Sequence, residues 1–393
     1  MSKPNFSRRS FLSLAAASAA TIPFMNEPML AAAARRSIPH PPLSKDAVMI
    51  DYNENPLGPS DAARRAVADM IPLGGRYCDS YTEELLQTFA RQEGVGDDQF
   101  HMFAGSTVPL YGAVVAHTSP QKSYVTADPG YEAGVFTASV TGARVVKVPL
   151  TKTYAHDVKA MIAAAPDAGL FYLCSPNNPT GTLTPLADIA YLIDNKPTGS
   201  VVVVDEAYTH FTETPSAIEF VKAGKDLIVL RTMSKAYGMA GLRCGFAIAR
   251  PDLLTPILNH TGDNFMPVPA VVAALASLKD PQLVAERRRI NAANRQETFA
   301  WLDRNQYSYI PSQSNCFLLD TKRPGRETIE AMAKEDVYIG RVWPSYPNHA
   351  RITVGTHDEM GRFQEAFKKV MTGAVAFSVG VPRVRRMRGS LLS

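Results

Sequence analysis

Residues 201–208 read V-V-V-V-D-E-A-Y. Four consecutive β-branched, apolar residues leave the segment no polar face, which is what a strand buried on both sides of a sheet requires. The run stops at Asp205, and open α/β sheets gather their ligands at the carboxyl ends of their strands. From 121 to 250 other short apolar runs, at 124–127, 144–148, 170–174, 227–231 and 245–249, alternate with stretches of helical character. That alternation predicts an α/β fold with a mainly parallel sheet covered on both faces.

Further along, the stretch 282–305 reads as one long helix leaving this large domain. A smaller α/β unit is expected after it, with strands near 316–319, 337–341 and 351–354 and helices around 327–334 and 358–371. The implied organisation is an arm at 35–58, a large domain at 59–280, a small C-terminal domain at 281–371 and a basic extension at 372–393. The arm includes a proline-rich segment at 37–44, and the extension lacks a clean period.

The 393 residues can bury a large core. With 46% hydrophobic and 20% charged residues, the composition is that of a globular protein rather than a disordered or fibrous one. A formal net charge of +4, partly supplied by arginines at the two ends, leaves no nucleic-acid footprint. Cys78, Cys174, Cys244 and Cys316 are far apart and lack the spacing of a metal or redox motif, so they read as buried thiols and no metal site is expected.

The start of the chain has a different character. Arg8 and Arg9 precede Phe11 and Leu12, an alanine-rich apolar stretch runs to about Phe24, and small residues follow at 31–34. This order resembles a twin-arginine signal peptide over 1–34, which implies handling by the twin-arginine export machinery and a periplasmic or secreted mature protein beginning near Arg35. The alternative is a frayed N-terminal helix on a cytoplasmic protein.

The segment 232–245, T-M-S-K-A-Y-G-M-A-G-L-R-C-G, places one lysine among small and hydroxylated residues with an arginine eight positions later. An amine must be partly deprotonated near neutral pH to attack a carbonyl, and burial beside cationic groups achieves that. Here the chain resembles the fold-type I aminotransferases, class I/II, whose cofactor is pyridoxal 5'-phosphate. The resemblance implies the transferase fold of the aspartate aminotransferase type. Lys235 would carry the cofactor as a Schiff base, with Thr232, Ser234 and Arg243 on its phosphate. An arginine fork suits a phosphate dianion because it donates two parallel hydrogen bonds.

The other motifs take their roles from the same resemblance. In D-E-A-Y, Asp205 would lie beneath the pyridine nitrogen and keep it protonated, and Tyr208 would bond the ring's phenolic oxygen. By itself an aspartate ending a strand is more commonly a helix cap. In S-P-N-N-P-T-G at 175–181, a turn by composition, Asn178 would bond the same oxygen. The spacing of these motifs resembles the histidinol-phosphate aminotransferase branch. Gly105, Ser106 and Thr107 form a glycine turn opening a helix, the phosphate cup. Tyr131, in D-P-G-Y, would stack on the cofactor ring.

Tyr77, in G-R-Y-C-D, would reach the phosphate of a neighbouring subunit, which implies a homodimer; Cys78 stands where the family usually has proline. Arg351, in A-R-I-T-V-G-T, would grip the substrate α-carboxylate. Asn53 and Asn55, in D-Y-N-E-N-P-L-G-P, and Asn315, in S-N-C-F-L, would line the substrate site. Arg341 would offer a second cation to a substrate phosphate or carboxylate. The expected reaction moves an amino group from an amino acid, or a group like one, to a 2-oxo acid. The alternatives are another reaction of the same cofactor (decarboxylation, racemisation or oxidation) and a catalytically silent binding protein on the same fold.

Overall fold

The computed structural model describes residues 44–262 and 265–373. The signal-like segment 1–34, most of the proline-rich part of the arm and all but the first two residues of the basic extension lie outside the described residues.

Among the described residues there are eleven strands: β1 (Val48–Ile50), β2 (Phe100–Phe103), β3 (Ser123–Asp128), β4 (Val145–Pro149), β5 (Ala168–Cys174), β6 (Val201–Asp205), β7 (Leu227–Thr232), β8 (Gly245–Ile248), β9 (Cys316–Asp320), β10 (Val337–Ile339) and β11 (His349–Thr353). Seven form the central sheet in the order β2-β8-β7-β6-β5-β3-β4. The core of that sheet, β7-β6-β5-β3-β4, is parallel, whereas β8 runs antiparallel to both β7 and β2. The valine strand β6 lies between β5 and β7, and its side chains divide by parity between two cores. Val202 and Val204 pack into one, Val201 and Val203 into the other. Each fully buried valine contributes about 1.5–3 kcal/mol. A strand with a polar face would lose one of the two cores.

Two strands depart from the sequence expectation by being additional. The run F-H-M-F of β2 is short and contains a histidine, so it carries no clear pattern, yet it closes the antiparallel edge against β8. Likewise β1 lies within the stretch read as an arm, where it pairs in parallel with β10, Val48 opposite Val337 and Ile50 opposite Ile339. The strand expected at 337–341 ends at Ile339 because the β1 partner ends at Ile50.

The third core lies under β9, β10 and β11 and the helices Gly325–Lys334 and His357–Met371, with Phe317, Phe363 and Phe367 at its centre. Strands β9 and β11 are antiparallel, with Arg351 opposite Leu318. The helix His357–Met371 starts in a capping box, Thr356 with Glu359, which satisfies two amide donors reciprocally. The helix Leu283–Arg304 supplies Leu283 to a core of the seven-stranded sheet and Leu302 to this one. Among the described residues no single helix is long and apolar enough to cross a membrane.

Candidate active site

The side chains named from the sequence gather where β5, β6 and β7 end. Lys235 follows β7 by three residues, Asp205 closes β6 and the turn carrying Asn178 follows β5. Lys235 Nζ donates to the Tyr52 carbonyl at 3.2 Å and lies 5.7 Å from the centre of the Tyr208 ring. Burial, and after it the Arg351 cation, lowers the Lys235 pKa to about 8, so a substantial part of the amine is neutral at mildly alkaline pH.

Asp205 is buried, and burial pushes its carboxyl up to about 6. Oδ2 accepts from the Tyr172 hydroxyl at 2.8 Å and Oδ1 from the Ala207 amide at 3.0 Å. The second bond ties Asp205 to its own turn, and no helix of the α type starts there, which disposes of the simple cap reading. Tyr172 was not identified from the sequence. The register makes it intelligible: Cys174 lies opposite Asp205, and Tyr172, two residues upstream, points to the same face of the sheet. A lone tyrosine in an otherwise apolar buried strand was the available signal.

Arg351 is buried on β11. Its Nη1 donates to Asn178 Oδ1 at 2.9 Å and its Nη2 to the Asp51 carbonyl, while its Nε, equally buried, has no protein partner. Asn178 therefore orients Arg351 in this structure. The Tyr208 hydroxyl accepts from Asn53 Nδ2 at 3.0 Å. Asn53 holds a left-handed backbone, φ +54°, and is fixed on several sides: Nδ2 also donates to Cys316 Sγ at 3.1 Å, Oδ1 accepts from the Thr353 hydroxyl at 3.2 Å and its carbonyl accepts from Asn315 Nδ2 at 3.0 Å. Cys316 and Thr353, like Tyr172, were not singled out in the sequence.

A second group of side chains surrounds the start of the helix Thr107–His117. Ser106 holds the cap position without a side-chain bond to the first turn, so the amide donors of that turn are not consumed by a protein cap. The Arg243 guanidinium lies over Gly105: a Cβ built on Gly105 would fall 2.1 Å from Nη2. Arg243 Nη1 reaches Ser234 Oγ at 3.3 Å, and the Thr232 and Ser234 hydroxyls are 2.9 Å apart. Gly105, Ser106, Thr107, Thr232, Ser234 and Arg243 are thus contiguous.

The remaining positions are more peripheral. Tyr131 packs against the core behind β3. Asn55 spends its amide on the Ala236 carbonyl at 2.9 Å, holding the loop next to Lys235 rather than facing it. Arg341 is paired with Glu132 and lies 4.5 Å from the Trp343 ring. Tyr77 stands apart, 69% exposed and stacked on Phe265 at 4.4 Å. Next to it, Cys78 sits at φ +56°, a conformation closed to proline, so this loop takes its own course. Cys174, Cys244 and Cys316 are buried, whereas Cys78 is partly exposed.

Comparison with known proteins agrees with this geometry. Residues 48–367 match the family Aminotransferase class I and II. A histidinol-phosphate aminotransferase from Symbiobacterium thermophilum is 35% identical over 83% of this chain and 91% of its own length. An aromatic amino acid aminotransferase from Cutibacterium acnes is 33% identical over 84% of this chain and 94% of its own. The crystal structure of histidinol-phosphate aminotransferase from Sinorhizobium meliloti, in complex with pyridoxal 5'-phosphate, superposes with a TM-score of 0.74 at 26% identity, covering 84% of this chain and 92% of that one.

The residues present fit that cofactor. The cradle between Gly105 and Arg243 offers a phosphate a guanidinium, two hydroxyls and helix amides, and any side chain at 105 would fill it. A half-buried, partly neutral lysine and a buried carboxylate lie at the adjoining strand ends. The chain belongs to the class I and II aminotransferases, pyridoxal 5'-phosphate-dependent enzymes of α/β fold.

Proposed function

We propose that this protein transfers the amino group of an amino donor to a 2-oxo acid in the manner of the histidinol-phosphate aminotransferases, with Lys235 at the centre of the chemistry. The observation that carries the reading is the Lys235 amine, half-buried, lowered toward neutrality and adjacent to Tyr208, in a site whose Arg351 keeps one buried donor unpaired. Pyridoxal 5'-phosphate, when bound, supplies the electron sink that lets a substrate α-carbon release its proton.

The chain's own residues do the rest. Lys235 Nζ accepts that proton and returns it, which requires an amine that is neutral for part of the time near physiological pH. Asp205 presents a buried carboxylate held by Tyr172 and the Ala207 amide, a partner for a ring N–H. Arg243, Ser234, Thr232 and the amides from Ser106 and Thr107 hold the phosphate. Arg351, aimed by Asn178, takes the substrate's α-carboxylate, or a phosphate in that position, with its planar fork. Asn53, Asn315 and Thr353 fix the Tyr208 hydroxyl and the site wall, Asn55 steadies the loop and Tyr131 would stack on the cofactor ring.

Two features extend the reading. The exposed, stacked pair of Tyr77 and Phe265 supports a homodimer in which Tyr77 reaches the partner's phosphate site. The paired arginines and small-residue stretch at 1–34 support export of the mature protein through the twin-arginine route to the periplasm or beyond. Domain boundaries at 58/59 and 280/281 are retained as part of this proposal.

The deciding measurement is the visible spectrum of the purified mature protein titrated with single amino acids and with histidinol phosphate. Conversion of the cofactor's long-wavelength band by a donor, reversed by a 2-oxo acid, supports the proposal. A band that no donor converts would sink it in favour of another reaction of the same cofactor.

A further inference from the structure

Arg341 and Arg351 sit side by side on one edge of the small domain, since the Arg341 carbonyl accepts the Arg351 amide at 3.2 Å. Both guanidiniums lie against Trp343, at 4.5 and 5.6 Å from its ring centre. Trp343 is itself 1% exposed, so it is a mounting for the two cations rather than a surface for substrate. Its Nε1 donates to the Gly130 carbonyl at 3.0 Å, and Ser345 Oγ donates to Asp128 Oδ1 at 2.9 Å. The loop that carries Arg341 and Trp343 is thereby fastened to the loop that carries Tyr131 and Glu132.

The two arginines differ in what opposes them. Arg351 is held by neutral oxygens, from Asn178 and Asp51, and keeps a buried Nε without a protein partner. It retains its full charge for an anion. Arg341 Nη2 is matched by the Glu132 carboxylate, with both side chains only 28% exposed, so solvent screens the pair incompletely.

We propose that the Glu132–Arg341 pair, mounted on Trp343, sets the side-chain specificity of the site: it admits amino donors whose side chains are uncharged, apolar or aromatic, and disfavours those with a second carboxylate or a phosphate there. The proposal rests on the aminotransferase reading above. An uncharged side chain leaves the pair intact. An anionic one must draw Arg341 away from Glu132 and then share the mouth with the displaced carboxylate, a like charge at short range. Sequence alone casts Arg341 as a second anion grip; Glu132 removes the charge such a grip needs.

The test is equilibrium binding of two unreactive acids to the holoenzyme by calorimetry, 3-phenylpropionate for an uncharged side chain and succinate for an anionic one, in the wild type and in Glu132→Gln. Wild-type protein should bind 3-phenylpropionate at least tenfold more tightly, and Glu132→Gln should shift the ratio toward succinate by about tenfold or more. Tighter binding of succinate by the wild type overturns the proposal without need of a variant, and so does an unchanged ratio in a folded Glu132→Gln. Because neither acid reacts, this result is independent of turnover. A cofactor band that no amino acid converts would remove the aminotransferase reading and leave the binding ratio standing.

Discussion

Asn178 Oδ1 accepts the Arg351 Nη1 hydrogen at 2.9 Å, so a turn at the end of β5 in the large sheet aims a guanidinium that belongs to β11 of the small one. The bond is buried and charge-assisted, and such bonds contribute about 1.5–3 kcal/mol. Asn178→Ala should therefore raise KM for carboxylate donors by roughly ten- to a hundredfold. Steady-state kinetics with the donor varied at several fixed 2-oxo acid concentrations reads this directly, and an unchanged donor KM would show that Arg351 is aimed by other contacts.

The lowered pKa of Lys235 has burial as its first cause and the Arg351 cation as its second. Capture of pyridoxal 5'-phosphate by the apoprotein needs the neutral amine, so its rate should rise with pH through a midpoint near 8. Arg351→Gln should move that midpoint upward, though not to 10.5, because burial remains. A midpoint that stays in place would remove Arg351 from the causes.

Asp205 titrates in the opposite sense. Its folded-state pKa is raised from 3.8 to about 6, so in the apoprotein the folded form holds its proton more tightly than the unfolded chain does. The stability this confers is complete below about pH 4 and is lost as pH rises through 6, a span of about 2 to 3 kcal/mol at 1.36 kcal/mol per unit. Asp205→Asn, which cannot ionise, should flatten that part of the apoprotein's stability profile, measured by urea unfolding from pH 4 to 7. A slope identical to the wild type's would mean that the carboxyl is not raised.

Gly105 has φ +87° and lies against the Arg243 guanidinium. Alanine there meets both a conformational penalty of about 1–2 kcal/mol and a side chain that must move. Because Arg243 also anchors on Ser234 and the Ala240 carbonyl, the cofactor phosphate should be held at least tenfold more weakly in Gly105→Ala. Equilibrium dialysis of pyridoxal 5'-phosphate is the measurement, and wild-type affinity would show that the cradle does not bear the phosphate.

Much of this was legible in the sequence because strands with two buried faces have no polar positions to confuse the pattern. The valine strand and its neighbours at 168–174 and 227–232 are buried at every position, while the long helix at 283–304 is legible from its length and its mixed polar and apolar run. What escaped depends on partners distant in the chain. The strand at 48–50 is three residues long and exists only because 337–339 lies beside it. Tyr172 acquires its role from the register between two strands, Cys316 and Thr353 from an asparagine some three hundred residues or fewer upstream. Glu132 looks like a surface residue of a short helix until Arg341 is placed against it. A motif names the residue that performs the chemistry; only the fold supplies the residue that restrains it.

The segment that follows β1 gives up three consecutive residues to the site: the Asp51 carbonyl to Arg351, the Tyr52 carbonyl to Lys235 and the Asn53 side-chain Nδ2 to Tyr208. The beginning of the described chain is therefore built into the enzyme's interior and cannot be treated as a dispensable leader. Any protease that matures the N-terminus must cut ahead of Val48. A cut a few residues later would unpair β10 and strip the lysine and the arginine of their backbone acceptors in one event, so trimming from that end has a sharp threshold between a finished enzyme and an inert one.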